Sequence, residues 1–205
     1  MKIKILFFFT LFTICFSSCI GLNKQVKQIK ALEDCKFEIK SADSISIANV
    51  DITNFIVGQK IDFGNLPMLA LALLRKETPL KARLNLVITN PGGKLAAINQ
   101  FEYKVFIRDR ELASGIVNQK IAIDPNGGVK SVPVQINSDI YELISDRKIR
   151  EAVTKFLTAT ADNGNHKEKF TLKIKPTLDF GNEQLKYPGY ITIEKEFGRN
   201  MLFGL

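Results

Sequence analysis

Apolar and polar residues follow one rhythm before Cys35 and another after it. Ile5 to Ile14 is almost continuously apolar, and Leu22, Val26 and Ile29 then recur at helical spacing with Lys24, Lys27 and Lys30 beside them. From Cys35 the period becomes two, as in strands that turn one face to a core. Cys35, Phe37 and Ile39 share a face, with Lys36, Glu38 and Lys40 on the other. Ile45 and Ile47 resume the alternation after Ser41-Ala42-Asp43-Ser44, which reads as a turn. Leu84, Leu86 and Ile88 lead to the corner Asn90-Pro91-Gly92-Gly93, and Phe101, Tyr103, Val105 and Ile107 alternate with Glu102, Lys104, Phe106 and Arg108. Asp109-Arg110 turns the chain into the next strand, and Asp124-Pro125-Asn126-Gly127-Gly128 precedes Val132, Val134 and Ile136. The last three, at Phe101 to Ile107, after Asp109-Arg110 and at Val132 to Ile136, predict antiparallel strands in a meander.

Two segments break the period. Residues 66–77 are apolar nearly all round and end on Arg75-Lys76, which suits the negative end of a helix dipole. That predicts a helix too short to cross a bilayer, packed against the end of a sheet or touching lipid. Residues 139–160 predict a helical insert opened by a capping box at Asp139 and Glu142, with Ile140, Leu143 and Ile144 on one side. Its stripe falters at Ser145-Asp146, so a second helix is expected through Val153, Phe156 and Leu157. Phe170, Leu172 and Ile174 restore the strand period, and Ile191 and Ile193 close the pattern. No linker divides the chain. The fold predicted is mainly β, one antiparallel sandwich of two sheets face to face with inserted helices.

Composition supports a globular reading: 45% hydrophobic and 24% charged residues over 205 positions are too apolar for a disordered chain. The N-terminus changes the picture more. Lys2 and Lys4, the apolar stretch, and Ser17-Ser18 before Cys19 have the order of a secretory signal. Phe16-Ser17-Ser18-Cys19 resembles the bacterial lipoprotein signal, in which the cysteine at the cleavage site takes a lipid on its sulfur. Phe16 departs from the usual leucine there but remains apolar. The expected organisation is a signal peptide over 1–18, a lipidated tether or short amphipathic helix over 19–34, a sandwich over 35–197 and a tail over 198–205. Cys15 leaves with the signal, so Cys35 has no thiol partner and reads as a small buried hydrophobe. Processing removes two of the 29 basic residues and leaves an excess of six over the 21 acidic ones. That moderate excess suits anionic head groups and, with export, argues against nucleic acid.

Catalytic material is scarce. His166 is the single histidine and lies among Asn163, Gly164 and Asn165, as a solvated loop residue does. Asp62, Asp109, Asp124, Asp139 and Asp162 fall at predicted turns or caps, where a short acceptor side chain has a local backbone role. Asp179 and Glu183 flank Gly181-Asn182; turn chemistry explains them, and a shared calcium ion or sugar is the competing reading. Gly92-Gly93 and Gly127-Gly128 lie between strands, with no helix N-terminus to receive a phosphate. The chain therefore reads as non-enzymatic, with no cofactor and no metal.

Residues 81–137 resemble the core of the late-embryogenesis-abundant type 2 family, the WHy domain. "LNLVITNP", "FEYKVFI", "ELASG" and "VKSVPVQI" carry the likeness, with Asn90, Pro91, Tyr103, Gly115 and Pro133 as its structural positions. Beyond it, "KPTLDF" and "YPGYITI" look like the closing strands of lipoprotein members from Bacteroidetes-type bacteria. The resemblance implies an immunoglobulin or fibronectin type III-like sandwich without enzymatic activity, linked in the family to stress tolerance. It leaves three partners open: a protective or binding role at the membrane, a bound or transferred lipid, and an envelope protein paired through a strand edge. Ile20, rather than aspartate, after Cys19 favours the outer membrane, facing the periplasm.

Overall fold

The computed structural model describes residues 27, 29–51, 67–107, 109–148, 168–180 and 183–197. Strands dominate, and the two-residue period explains why. β1 (Lys36–Ile47) lies antiparallel to β3 (Pro79–Asn90), and β3 to β8 (Gly128–Asp139); the two-residue β2 (Val50–Asp51) adds to the outer edge of β1. The second sheet pairs β6 (Arg110–Val117) with β5 (Gln100–Ile107) and β5 with β9 (Glu168–Phe180). Along the far edge of β9 run β10 (Glu183–Lys186) and β11 (Ile191–Phe197), one returning strand interrupted at 187–190. A small ladder of β4 (Ala96–Ile98) with β7 (Ile121–Ile123) joins the sheets near one end. Three main strands facing four, with the chain crossing between sheets after β3, after β6 and after β8, is the arrangement of immunoglobulin and fibronectin type III sandwiches.

The core forms where the inward halves of the alternation meet. Leu84, Leu86, Ile88, Val132 and Val134 from one sheet join Phe101, Val105, Leu172 and Ile174 from the other in a single buried cluster. Ala31 and Leu32, on the helical residues 29–33 ahead of β1, are buried in the same cluster. Cys35 is buried and unpaired, and its thiol donates to the Ala31 carbonyl at 3.3 Å. Burial, and then the neighbouring Asp34 carboxylate, push that thiol's pKa up.

Three local expectations are corrected. Ser41 to Ser44 does not reverse the chain. The ladder between β1 and β3 shifts register at Ile39/Ser41 and again at Asp43/Ser46, so the small residues are absorbed as bulges within one strand. The inward positions accordingly fall at Ile39, Ala42, Ile45 and Ile47 rather than at strict alternation. The meander is also broken. β5 and β6 do form a hairpin, but β8 pairs with β3 in the opposite sheet, because β7 carries the chain across to it. Alternation fixes which face is buried and is silent on which strand becomes the neighbour. Finally, the helix predicted from Asp139 begins later. Asp139 still belongs to β8, and α2 (Tyr141–Ser145) ends where Asp146 is extended. Residues 149–160 lie outside the described residues. α1 (Pro67–Arg75) agrees with the first predicted helix.

Candidate functional site

The sandwich has two unlike ends. One gathers the start of β1, the end of β3 and the turn before β8, since Lys36 pairs with Thr89 and Asn90 with Gly128. Asn90 is fully buried there and spends its side chain on the backbone. Its Nδ2 donates to the carbonyls of Lys94 at 2.7 Å and Ile123 at 3.1 Å, and its Oδ1 accepts from the Gly92 N–H at 3.1 Å. The two glycine turns meet: Gly127 N–H donates to the Asn90 carbonyl and Asn126 N–H to the Gly92 carbonyl. Gly127 has φ of 94°, a conformation glycine adopts without a Cβ penalty. Two of the donors a phosphate loop would offer are thus turned into the fold. Pro91 follows on the exposed side of this corner.

Tyr103 and Gly115 form a second unit, at the seam where β6 runs beside β8. The phenol of Tyr103 donates to the Gln135 carbonyl at 2.7 Å, joining the two sheets. Gly115 is the register partner of Tyr103, and a Cβ there would stand 2.7 to 2.8 Å from the ring and its oxygen. The missing side chain at 115 is what lets the ring lie across β6. Burial raises the phenol's pKa, so it stays a donor at neutral pH. Pro133, two residues before Gln135, presents its ring nitrogen to the same outer edge of β8, where no ladder bond is lost. Nothing in the sequence marks Gln135, because its contribution is a backbone carbonyl.

The other end holds α1, α2 and the turn between β5 and β6. Asp139 organises it, its Oδ1 accepting from the N–H groups of Thr78 at 3.1 Å and Tyr141 at 2.8 Å. Ile140 is buried, and Leu143 and Ile144 pack partly against the core as the stripe implied. Arg110 reaches Asp146 at 3.8 Å. α1 buries only Leu69 and Ala72; Met68, Leu71, Leu73 and Leu74 are exposed, Leu74 at 81%. Its nine residues include no acid, and Arg75 and Lys76 close it, exposed and without an ion pair among the described residues. This is the largest run of exposed apolar side chains among the described residues.

The outer faces are solvated. Lys104 with Glu111, Lys186 with Glu102 and Lys169 with Glu194 pair across strands at 2.8 to 3.0 Å. These contacts hold the carboxyls of Glu102 and Glu111 below their ordinary range and push Lys104, Lys169 and Lys186 up. Asp179 pairs with Lys120 at 3.2 Å. Glu183 begins β10, and its side chain is outside the description, as are Cys19, Asp62, Asp162 and His166. Asp109 takes φ of 65° in the hairpin turn, and Asp124 opens the glycine turn. No group of three or more His, Cys, Asp or Glu placed to hold a metal occurs among the described residues.

No family model matches the chain, and no curated protein does. Solved structures with a similar course include a protein from Archaeoglobus fulgidus, at 18% identity over 58% of this chain and 84% of that one, with a TM-score of 0.35. Another is described as a late embryogenesis abundant (LEA) protein, at 13% identity over 94% of this chain and 89% of that one, TM-score 0.36. A third, from Arabidopsis thaliana, has 16% identity over 60% of this chain and 72% of that one, TM-score 0.30. Superpositions of that degree carry no weight for activity or partner.

Proposed function

We propose that this chain is a non-enzymatic binding or stress-protective module of LEA type 2 kind, held at a bacterial envelope membrane by a lipid on Cys19. The observation that carries the reading is where the polar groups go. The buried Asn90 and Tyr103 and the exposed Asp139, the polar side chains with the best-defined hydrogen bonds at the two ends and the seam, each spend polar atoms on backbone groups of this chain. What dominates the surface of the described residues is solvated charge, much of it paired, and one apolar helix, which suits binding rather than turnover. Membrane attachment rests on the order of basic, apolar and small residues ahead of Cys19. Export to the outer membrane, facing the periplasm, follows from the same signal and from Ile20. Palmitate supplied to an expressing bacterium labels the wild-type chain and not Cys19→Ala; equal labelling of both rejects the anchor. Protection is measured as vesicle leakage after drying with and without the chain, and unchanged leakage rejects that role.

A second reading, lipid handling, is favoured by α1. The space between the sheets is filled by Phe101, Leu86, Ile88, Leu172 and Ile174, so the surface helix is the place for an apolar ligand. Native mass spectrometry of the chain isolated from membranes shows a retained lipid on this reading and an empty chain otherwise. Strand-edge pairing with an envelope protein has no comparable support: β8 runs beside β6 and β1 beside β11, so the two seams of the sandwich already face each other.

A further inference from the structure

We infer that α1 is a lipid-inserting wedge, and that its occupant is the surface of an anionic bilayer. Protein interfaces are enriched in aromatic residues, methionine and arginine, and leucine is under-represented among their hot spots. The exposed face of α1 holds no aromatic residue and is mostly leucine: Leu71, Leu73 and Leu74 stand beside Met68 and Ala70, apolar side chains that match acyl chains without demanding a complementary shape. Charge adds the sign. The helix carries no acid, and Arg75 and Lys76 stand at the edge of the apolar face, at the depth where head-group phosphates would lie. Two nearby carboxylates are engaged within the protein, Asp139 by two backbone N–H groups and Asp146 by Arg110; Glu77 and Glu142 remain exposed beside them. Nine residues are too few to cross a bilayer and sufficient to lie in its interface.

The position of α1 gives the contact a geometry, and this part rests on the anchored reading. The chain enters the sandwich at the Asn90 end, while α1 sits at the opposite end, beyond the start of β3. β1 and β3 are twelve residues each, about 40 Å when extended. From Cys19 to Lys27 the chain reaches at most about 28 Å, and the helical residues up to Ala31 add about 6 Å. The tether therefore falls a little short of the strand length, and α1 meets the bilayer that holds Cys19 with the sandwich inclined toward it, giving two separate points of attachment.

The chain contains no tryptophan, so one introduced residue is a unique fluorophore. Full-length Leu74→Trp and, as a control on the exposed face of β6, Ile116→Trp are isolated from membranes and reconstituted in vesicles of phosphatidylcholine and phosphatidylglycerol containing brominated phosphatidylcholine. Leu74→Trp is expected to be quenched strongly and Ile116→Trp little. Replacing Arg75 and Lys76 by Gln in the Leu74→Trp chain weakens the contact by roughly fivefold for each charge removed. Unquenched Leu74→Trp, or equal quenching at both positions, overturns the wedge. Palmitate labelling is read on the same samples: label without quenching leaves the anchor and rejects the wedge, and quenching without label does the reverse.

Discussion

Asn90 shows how much of this fold hangs on single polar side chains. Removing its amide leaves the carbonyls of Lys94 and Ile123 and the N–H of Gly92 without partners inside a buried corner. Asn90→Ala is expected to lower stability by about 2–4 kcal/mol, measured by urea denaturation; a loss under about 0.5 kcal/mol contradicts the role. Tyr103 and Gly115 make a coupled pair. Tyr103→Phe loses one hydrogen bond, about 1 kcal/mol. Gly115→Ala forces a Cβ against the ring and costs about 1–3 kcal/mol. Because the clash needs the ring, Gly115→Ala is expected to cost less in a Tyr103→Ala background, and strict additivity in that double-mutant cycle would disprove the packing argument. The sequence pointed to Asn90 and Tyr103 through their places in the strand pattern, and to Gly115 only through the family resemblance. It was silent on Gln135, Lys94 and Ile123, whose part is played by carbonyls that every residue possesses.

At the level of elements, the bulges of β1 have a polar consequence. They set Asp43 within reach of Arg83, which donates to it from Nε at 2.6 Å, while Arg83 Nη2 donates to Ser44 and Asn85 to both Ser41 and Asp43. Burial opposes ionisation of Asp43, but the hydrogen bonds from Arg83, Asn85 and Ser44 outweigh it, and its pKa lies below the ordinary aspartate value. The sign follows from linkage: a carboxyl whose folded pKa is depressed adds stability above its unfolded pKa and loses it as pH falls through the folded one. The stability gap between wild type and Asp43→Asn is thus expected to be constant near neutrality and to close in the acid range below the ordinary aspartate value. A gap that stays constant throughout that range excludes the linkage. Asp43 and Ser44 looked like turn residues because small polar residues signal turns and bulges alike. Only the partner strand, which continues opposite them, distinguishes the two.

For the molecule as a whole, the core reaches back beyond the first strand. Leu32 is fully buried, so Leu32→Ala is expected to cost about 2–5 kcal/mol, although it precedes every strand. A thermal-melt shift indistinguishable from zero would place 29–34 outside the folded unit. The two ends of the sandwich divide the labour. At the Asn90 end, glycine turns lock together and the N-terminal lead enters; at the far end, Asp139 ties α1 to α2 and leaves an apolar face to the surroundings. By itself the sequence determined the fold class, the inward residues of most strands and the apolar helix, and it carries the motif on which attachment at Cys19 is proposed. These are local properties, written in periodicity and in short motifs. Tertiary structure decided that β8 crosses to β3, that small residues in β1 bulge rather than turn, and that α1 stands at the opposite end of the sandwich from the start of β1. Each depends on which strand lies beside which, and a two-residue period, identical in every strand, holds no record of the neighbour.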